Sequence, residues 1–164
     1  MSFVLAIATA VIFLAADQIT KYIVMTNMTL GETVDFIDGF LDFTYIHNDG
    51  GAWGMLGGER WLLLGVTSVV MVAIIIFLIK NARKSLLLFW AGCFVISGGF
   101  GNMIDRILRD GNVVDFLRVR FIDFPIFNIA DCAVVIGAGL LILYFVLDTI
   151  NDIKAKRQKN DGRD

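Results

Sequence analysis

WLLLGVTSVVMVAIIIFLI, residues Trp61 to Ile79, runs nineteen positions without a charged side chain. A helix needs about 20 mostly apolar residues to cross the hydrocarbon of a bilayer, so this stretch reads as a membrane span. Outward from it, three more stretches meet the same requirement: Phe3 to Met25, Leu86 to Ile104 and Ile126 to Leu147. The chain has 164 residues, 57% of them hydrophobic, and a mean hydropathy of +0.75. Soluble domains carry only about 45–50% apolar residues. The sequence therefore predicts an all-α integral membrane protein, one domain over 1–164 with four transmembrane helices.

Basic residues set the orientation, because short cytoplasmic loops hold an excess of Lys and Arg. Lys80, Arg83 and Lys84 join the second and third spans, and Lys154, Lys156, Arg157, Lys159 and Arg163 follow the fourth. Both termini are expected in the cytoplasm, with residues 152–164 forming a frayed, solvated basic tail. Segments 27–60 and 105–125 then lie outside. The first carries Glu32, Asp35, Asp38, Asp42, Asp49 and Glu59 against a single basic residue. The second breaks the rule with Arg106, Arg109, Arg118 and Arg120, which its aspartates balance. Within 27–60, TVDFIDGFLDFTYI is rich in β-branched and aromatic residues around Gly39, which predicts short strands at the membrane surface.

Several classes are excluded early. A formal charge of -2, with no basic and aromatic interleaving, argues against a nucleic-acid partner. Met1 to Ala16 is not expected to be a cleaved leader, since no basic residue precedes it and the helix continues through Asp17 and Lys21. Cys93 and Cys132 fall in apolar runs and read as packing residues. His47 is the only histidine, so no multi-histidine zinc site can be built and no metal or other cofactor is expected. No G-x-S-x-G motif occurs, which leaves a pairing of Ser97 with Lys21 as the remaining serine device.

An ionisable side chain at the centre of a span costs at least about 2.5–3.5 kcal/mol, so the few present are candidates for function. Asp17 and Lys21 stand four apart on the first span and can neutralise each other, as a structural pair or as part of a site. Asn102, Asp105 and Arg106 follow i, i+3, i+4 spacing at the end of the third span and predict one polar face. Gly98, Gly99 and Gly101 beside them suit close helix packing. Asp115 follows in VVDF, and Asp131 sits near the start of the fourth span with Asn128 three residues before it. With a helix starting near Pro125, Asp131 lies about 8–9 Å along the axis, shallow in the membrane. The VVDF segment can fold back over that mouth and bring Asp115 to Asp131. Two close carboxyls cannot both ionise cheaply, so such a pair shares a proton and supplies an acid and a base at one pH. That is chemistry suited to hydrolysing an amide.

Five elements in order, DQITK (17–21), NDGGAWG (48–54), GGFGNMIDR (98–106), VVDF (113–116) and FNIAD (127–131), resemble the prolipoprotein signal peptidase family, also called signal peptidase II. The resemblance spans the whole chain. It implies an aspartic endopeptidase of the bacterial cytoplasmic membrane, cutting on the N-terminal side of a diacylglyceryl-modified cysteine. It casts Asp115 and Asp131 as the catalytic pair and Asn48, Gly50, Asn102, Arg106 and Asn128 as residues that line the site or hold substrate. Asp17, Lys21 and Asp105 are cast as support. It also implies a small extracytoplasmic sheet and a short surface helix over a site facing the extracytoplasmic side. Lipid-modified prolipoproteins and membrane lipids are the expected partners, and the chain is expected to act as a monomer. Gly51 and Trp53 depart from the alanine and phenylalanine usual in the family, although Trp53 keeps an aromatic ring.

Two readings of other classes compete. Intramembrane aspartates also mark proton or ion transporters, but those commonly show internal repeats, and none is visible here. A membrane scaffold would use the Asp17–Lys21 pair and the glycines, and leaves Asp115 and Asp131 without a task.

Overall fold

In hydrocarbon every backbone N–H and C=O must be satisfied within its own segment, so long apolar stretches fold as helices. The computed structural model, which describes residues 2–50, 59–81 and 83–161, has four: α1 (Ser2–Asn27), α2 (Arg60–Asn81), α3 (Leu86–Leu108) and α4 (Ile129–Asp161). All four are long and apolar enough to cross a membrane. Val4, Val11, Val69, Val135 and Ile142 are each more than half exposed, as expected of helices whose solvent is lipid.

Helix α3 is the centre of the bundle and packs on α1, α2 and α4. Ser85 caps it by accepting from Leu88 N at 3.4 Å. Glycines let α4 come close. A Cβ at Gly98 would strike the Ala130 carbonyl oxygen and Val134, and one at Gly101 would meet Ala130 and the Asp17 carboxylate.

One end of the bundle carries a three-stranded antiparallel sheet in the order β1 (Thr33–Ile37), β2 (Leu41–Asn48), β3 (Val113–Val119). Gly39, at φ +69°, turns the hairpin between β1 and β2. Strand β1 is exposed throughout, whereas Val113 to Phe116 of β3 are all buried. Val114 and Phe116 pack with Val24 and Tyr45 into a core that joins the sheet to α1.

Element bounds differ from the sequence reading in three places. Helix α3 runs to Leu108, past Ile104, because the backbone reverses only at Asp110 (φ +52°) and Gly111 (φ +93°). Asp105 and Arg106 are therefore helical and buried. Helix α4 starts at Ile129 and not near Pro125, since Phe127 pairs as a β-bridge with Leu117 through bonds of 2.8 and 3.1 Å. The basic tail stays helical to Asp161, consistent with good helix formers such as Lys, Ala, Arg and Gln in KAKRQK. Residues 28–50 hold only turns and the hairpin, so the expected surface helix falls on 51–58, outside the described residues.

Substituting Gly98 by Ala should destabilise the protein by about 1–3 kcal/mol through overpacking. Gly139, with nothing within 4 Å of its would-be Cβ, serves as the control, and Gly139→Ala should be neutral. Thermal unfolding in detergent reads both, and equal melting points for the two variants would contradict the packing argument.

Candidate active site

The first turn of α4 and the middle of β3 place the two carboxyls. Asn128 caps α4: its Oδ1 accepts from Asp131 N at 3.0 Å, and Asp131 Oδ2 accepts from Asn128 N at 3.1 Å. This is a reciprocal capping box with Asn and Asp in the two roles. Asp131 thus stands in the first helical turn, where the macrodipole favours a negative charge. Asp115 comes from β3, opposite Ile46 of β2, and is 1% exposed.

Three asparagine amides hold the pair. Asn128 Nδ2 donates to Asp115 Oδ1 at 2.6 Å, Asn48 Nδ2 to Asp115 Oδ2 at 2.8 Å, and Asn102 Nδ2 to Asp131 Oδ1 at 2.8 Å. Asn128 Nδ2 also reaches Asn102 Oδ1 at 3.0 Å, which links the amides into one network. Buried polar groups satisfied in this way fix a single arrangement. Burial, then the charge of Asp131, pushes the Asp115 carboxyl up to about 7, against the opposing pull of Asn48, Asn128 and Lys21.

Asp115 and Asp131 line one cavity of about 700 Å³ together with Asn48, Asn102 and Arg106. Its remaining walls are almost wholly apolar and include Phe124, Phe127 and Val135. Arg106 is 7% exposed, and its Nε has no partner among the described residues.

Behind the cavity lies a second polar cluster. Lys21 Nζ is 2.9 Å from both Asp17 and Asp105, and it donates to Asn102 Oδ1 at 3.0 Å. Asp105 also pairs with Arg109 and accepts from Val114 N at 3.1 Å, strapping β3 to α3. Asp17 Oδ1 accepts from Ala130 N at 2.9 Å.

The structure brings Asn48, Asn102, Arg106, Asp115 and Asp131 to the cavity, with Asn128 buried beneath them. Gly50 donates its N–H to Asn48 Oδ1 at 3.1 Å and so acts on the Asn48 side chain. The single polar face expected of Asn102, Asp105 and Arg106 is divided. Asn102 and Arg106 face the cavity while Asp105 turns to α1, because successive positions on a helix are rotated by about 100°. Ser97 donates to the Ala10 carbonyl at 2.7 Å, and Lys21 is held by its own partners, so no Ser/Lys device forms. Among the described residues no group of three His, Cys, Asp or Glu side chains could hold a metal ion.

The chain matches the family model described as Signal peptidase (SPase) II over residues 9–147. It belongs to the signal peptidase II family. Similar proteins include the lipoprotein signal peptidase of Enterococcus faecalis, 44% identical over 88% of this chain and 87% of that one. That of Brevibacillus brevis is 42% identical over 85% and 93%. A solved bacterial membrane enzyme superposes with a TM-score of 0.85 at 40% identity, covering 89% of this chain and 90% of that one. With its four helices the protein is thus a multi-pass bacterial membrane protein.

Sequence reasoning missed Gln18, whose amide donates to Asp17, to the Gly101 carbonyl and to Asp105 at 3.1, 3.1 and 3.2 Å. Its position as a polar residue in an apolar span, next to Asp17, was the available signal. It also missed Arg109 as the second cation on Asp105.

Asp115 holds its proton to about pH 7 in the folded state but releases it near 3.8 when exposed. Between those values the folded state binds more protons than the unfolded chain, so this group lowers stability as pH rises. Asn at 115 carries no such slope. The melting temperature of Asp115→Asn relative to wild type should climb from about pH 4 to about pH 7; a difference that stays constant contradicts the assignment.

Proposed function

We propose that Asp115 and Asp131 are the catalytic pair of an aspartic endopeptidase that removes the signal peptide from diacylglyceryl-modified prolipoproteins, cutting N-terminal to the lipidated cysteine. The observation that carries this reading is the pair itself: two carboxyls on one apolar-walled cavity, each held by asparagine amides, with Asp115 protonated up to about pH 7.

In the proposed mechanism Asp131, in the first turn of α4, is the ionised member. It takes a proton from water as the water oxygen attacks the scissile carbonyl carbon, while protonated Asp115 donates to the carbonyl oxygen. The tetrahedral intermediate collapses when the C–N bond breaks: the leaving amine takes the proton now on Asp131, and one hydroxyl of the intermediate returns its proton to Asp115 as the carbonyl re-forms. The products are a carboxyl-terminal signal peptide and the free amine of the lipidated cysteine. Arg106, a cation within the cavity, would hold a substrate carbonyl or a lipid headgroup.

The apolar walls suit a substrate that arrives through lipid with its own helix and acyl chains. A lipid anchor on the cysteine would keep the bond near the interface, at the depth of the first turn of α4. The basic α2–α3 loop and tail support cytoplasmic termini and a site toward the extracytoplasmic face. One copy carries every residue named here, in keeping with a monomer.

A cleavage assay on a diacylglyceryl-modified precursor tests the reading. Wild type should cut it, and Asp115→Asn and Asp131→Asn should each lose about 10³-fold or more in kcat. Turnover retained in either variant, or no cleavage by wild type, would overturn it.

A further inference from the structure

We infer that Lys21 is a positioning residue for the catalytic pair, acting through the Asn102 side chain; this rests on the reading of Asp115 and Asp131 just given. The two ends of an asparagine amide have nearly the same shape, so its other contacts decide which end meets a carboxylate. Asn102 Oδ1 accepts from Lys21 Nζ and from Asn128 Nδ2, both at 3.0 Å. An ammonium only donates. It therefore holds Oδ1 and turns the amide N–H onto Asp131 Oδ1, 2.8 Å away. A flipped amide would set NH₂ against the ammonium and oxygen against the carboxylate.

Lys21 is itself fixed from two helices. It is 0% exposed and lies 2.9 Å from Asp17 on its own helix and from Asp105 on α3. Asp17 then reaches the first turn of α4 through Ala130 N, next to Asp131. A lysine serving only as a structural counter-ion is satisfied by these two carboxylates. The third bond, to Asn102, directs the buried charge toward the reacting groups, and Lys21 does not itself line the cavity.

The charged groups facing the catalytic pair are Lys21 and Asp17 from α1 and Arg106 from α3, with Asp105 behind them on Lys21; Cys132 on α4 is the other titratable neighbour. Removing the Lys21 charge favours the neutral carboxyls, so the ionised base forms only at higher pH. The acidic limb of the kcat profile then moves upward.

The experiment compares wild type, Lys21→Met and Lys21→Arg in the precursor cleavage assay across pH, with folding checked by thermal unfolding. Lys21→Met should lose about ten- to a hundred-fold in kcat at unchanged KM and shift the acidic limb up by about one pH unit. Lys21→Arg, which keeps charge and donors, should recover most of both. If Lys21→Met does not fold, Lys21→Gln, which removes the charge but keeps a polar side chain, carries the pH-profile readout. A folded variant with wild-type kcat and profile overturns the inference and leaves the catalytic pair standing. So does a loss of kcat with an unmoved limb and no recovery by arginine, which assigns Lys21 to packing alone. Wild type that leaves the precursor intact overturns the reading of the pair, and this inference with it.

Discussion

Carboxyls held out of water at the end of an apolar bundle need partners that neither neutralise them outright nor leave them bare. Asn48, Asn102 and Asn128 meet that constraint. An amide N–H stabilises a carboxylate without bringing a charge of its own, so the pull of Asn48 and Asn128 does not overcome the burial of Asp115, whose carboxyl stays raised to about 7. Of the cations nearby, Arg106 lines the cavity itself, whereas Lys21 is set one residue back and reaches Asp131 through Asn102. The rest of the fold places these amides: Asn128 as the cap of α4, Asn102 on the central helix α3, and Asn48 at the end of β2.

Packing and chemistry meet at the α3–α4 contact. Gly98 and Gly101 let the Ala130 backbone approach α3, and the same approach brings Asp131 to Asn102. Asp105 ties Val114 to α3, which fixes the strand from which Asp115 points. Structural support and the geometry of the carboxyl pair therefore share residues. The carboxyls stand at one end of the bundle, in the first turn of α4 and in the sheet, and not at mid-helix depth as a proton path would place them.

Much of this was legible in the sequence, because hydropathy over windows of about 20 residues depends on the solvent and not on tertiary contacts. The four spans, the strands around Gly39 and the pairing of Asp17 with Lys21 follow from local patterns. The boundaries did not. Phe124 to Phe127 are as apolar as a span, yet they are not helical: Phe127 pairs with Leu117, and both Phe124 and Phe127 wall the cavity. The burial of Asp105 was not legible either, because a charge rule cannot see that Lys21 and Gln18 await it on another helix. The joining of Asn102 to both Lys21 and Asp131 depends on three helices at once and has no signature in one dimension.

The most direct test of the central claim is pH-difference infrared spectroscopy of the detergent-solubilised protein, which reports protonated carboxyl groups individually. The account predicts a carboxylic-acid band present at about pH 6, titrating away with a midpoint of about 7 and missing in Asp115→Asn. A wild-type protein with no such band, or a band that survives unchanged in Asp115→Asn, would contradict the sharing of one proton between Asp115 and Asp131.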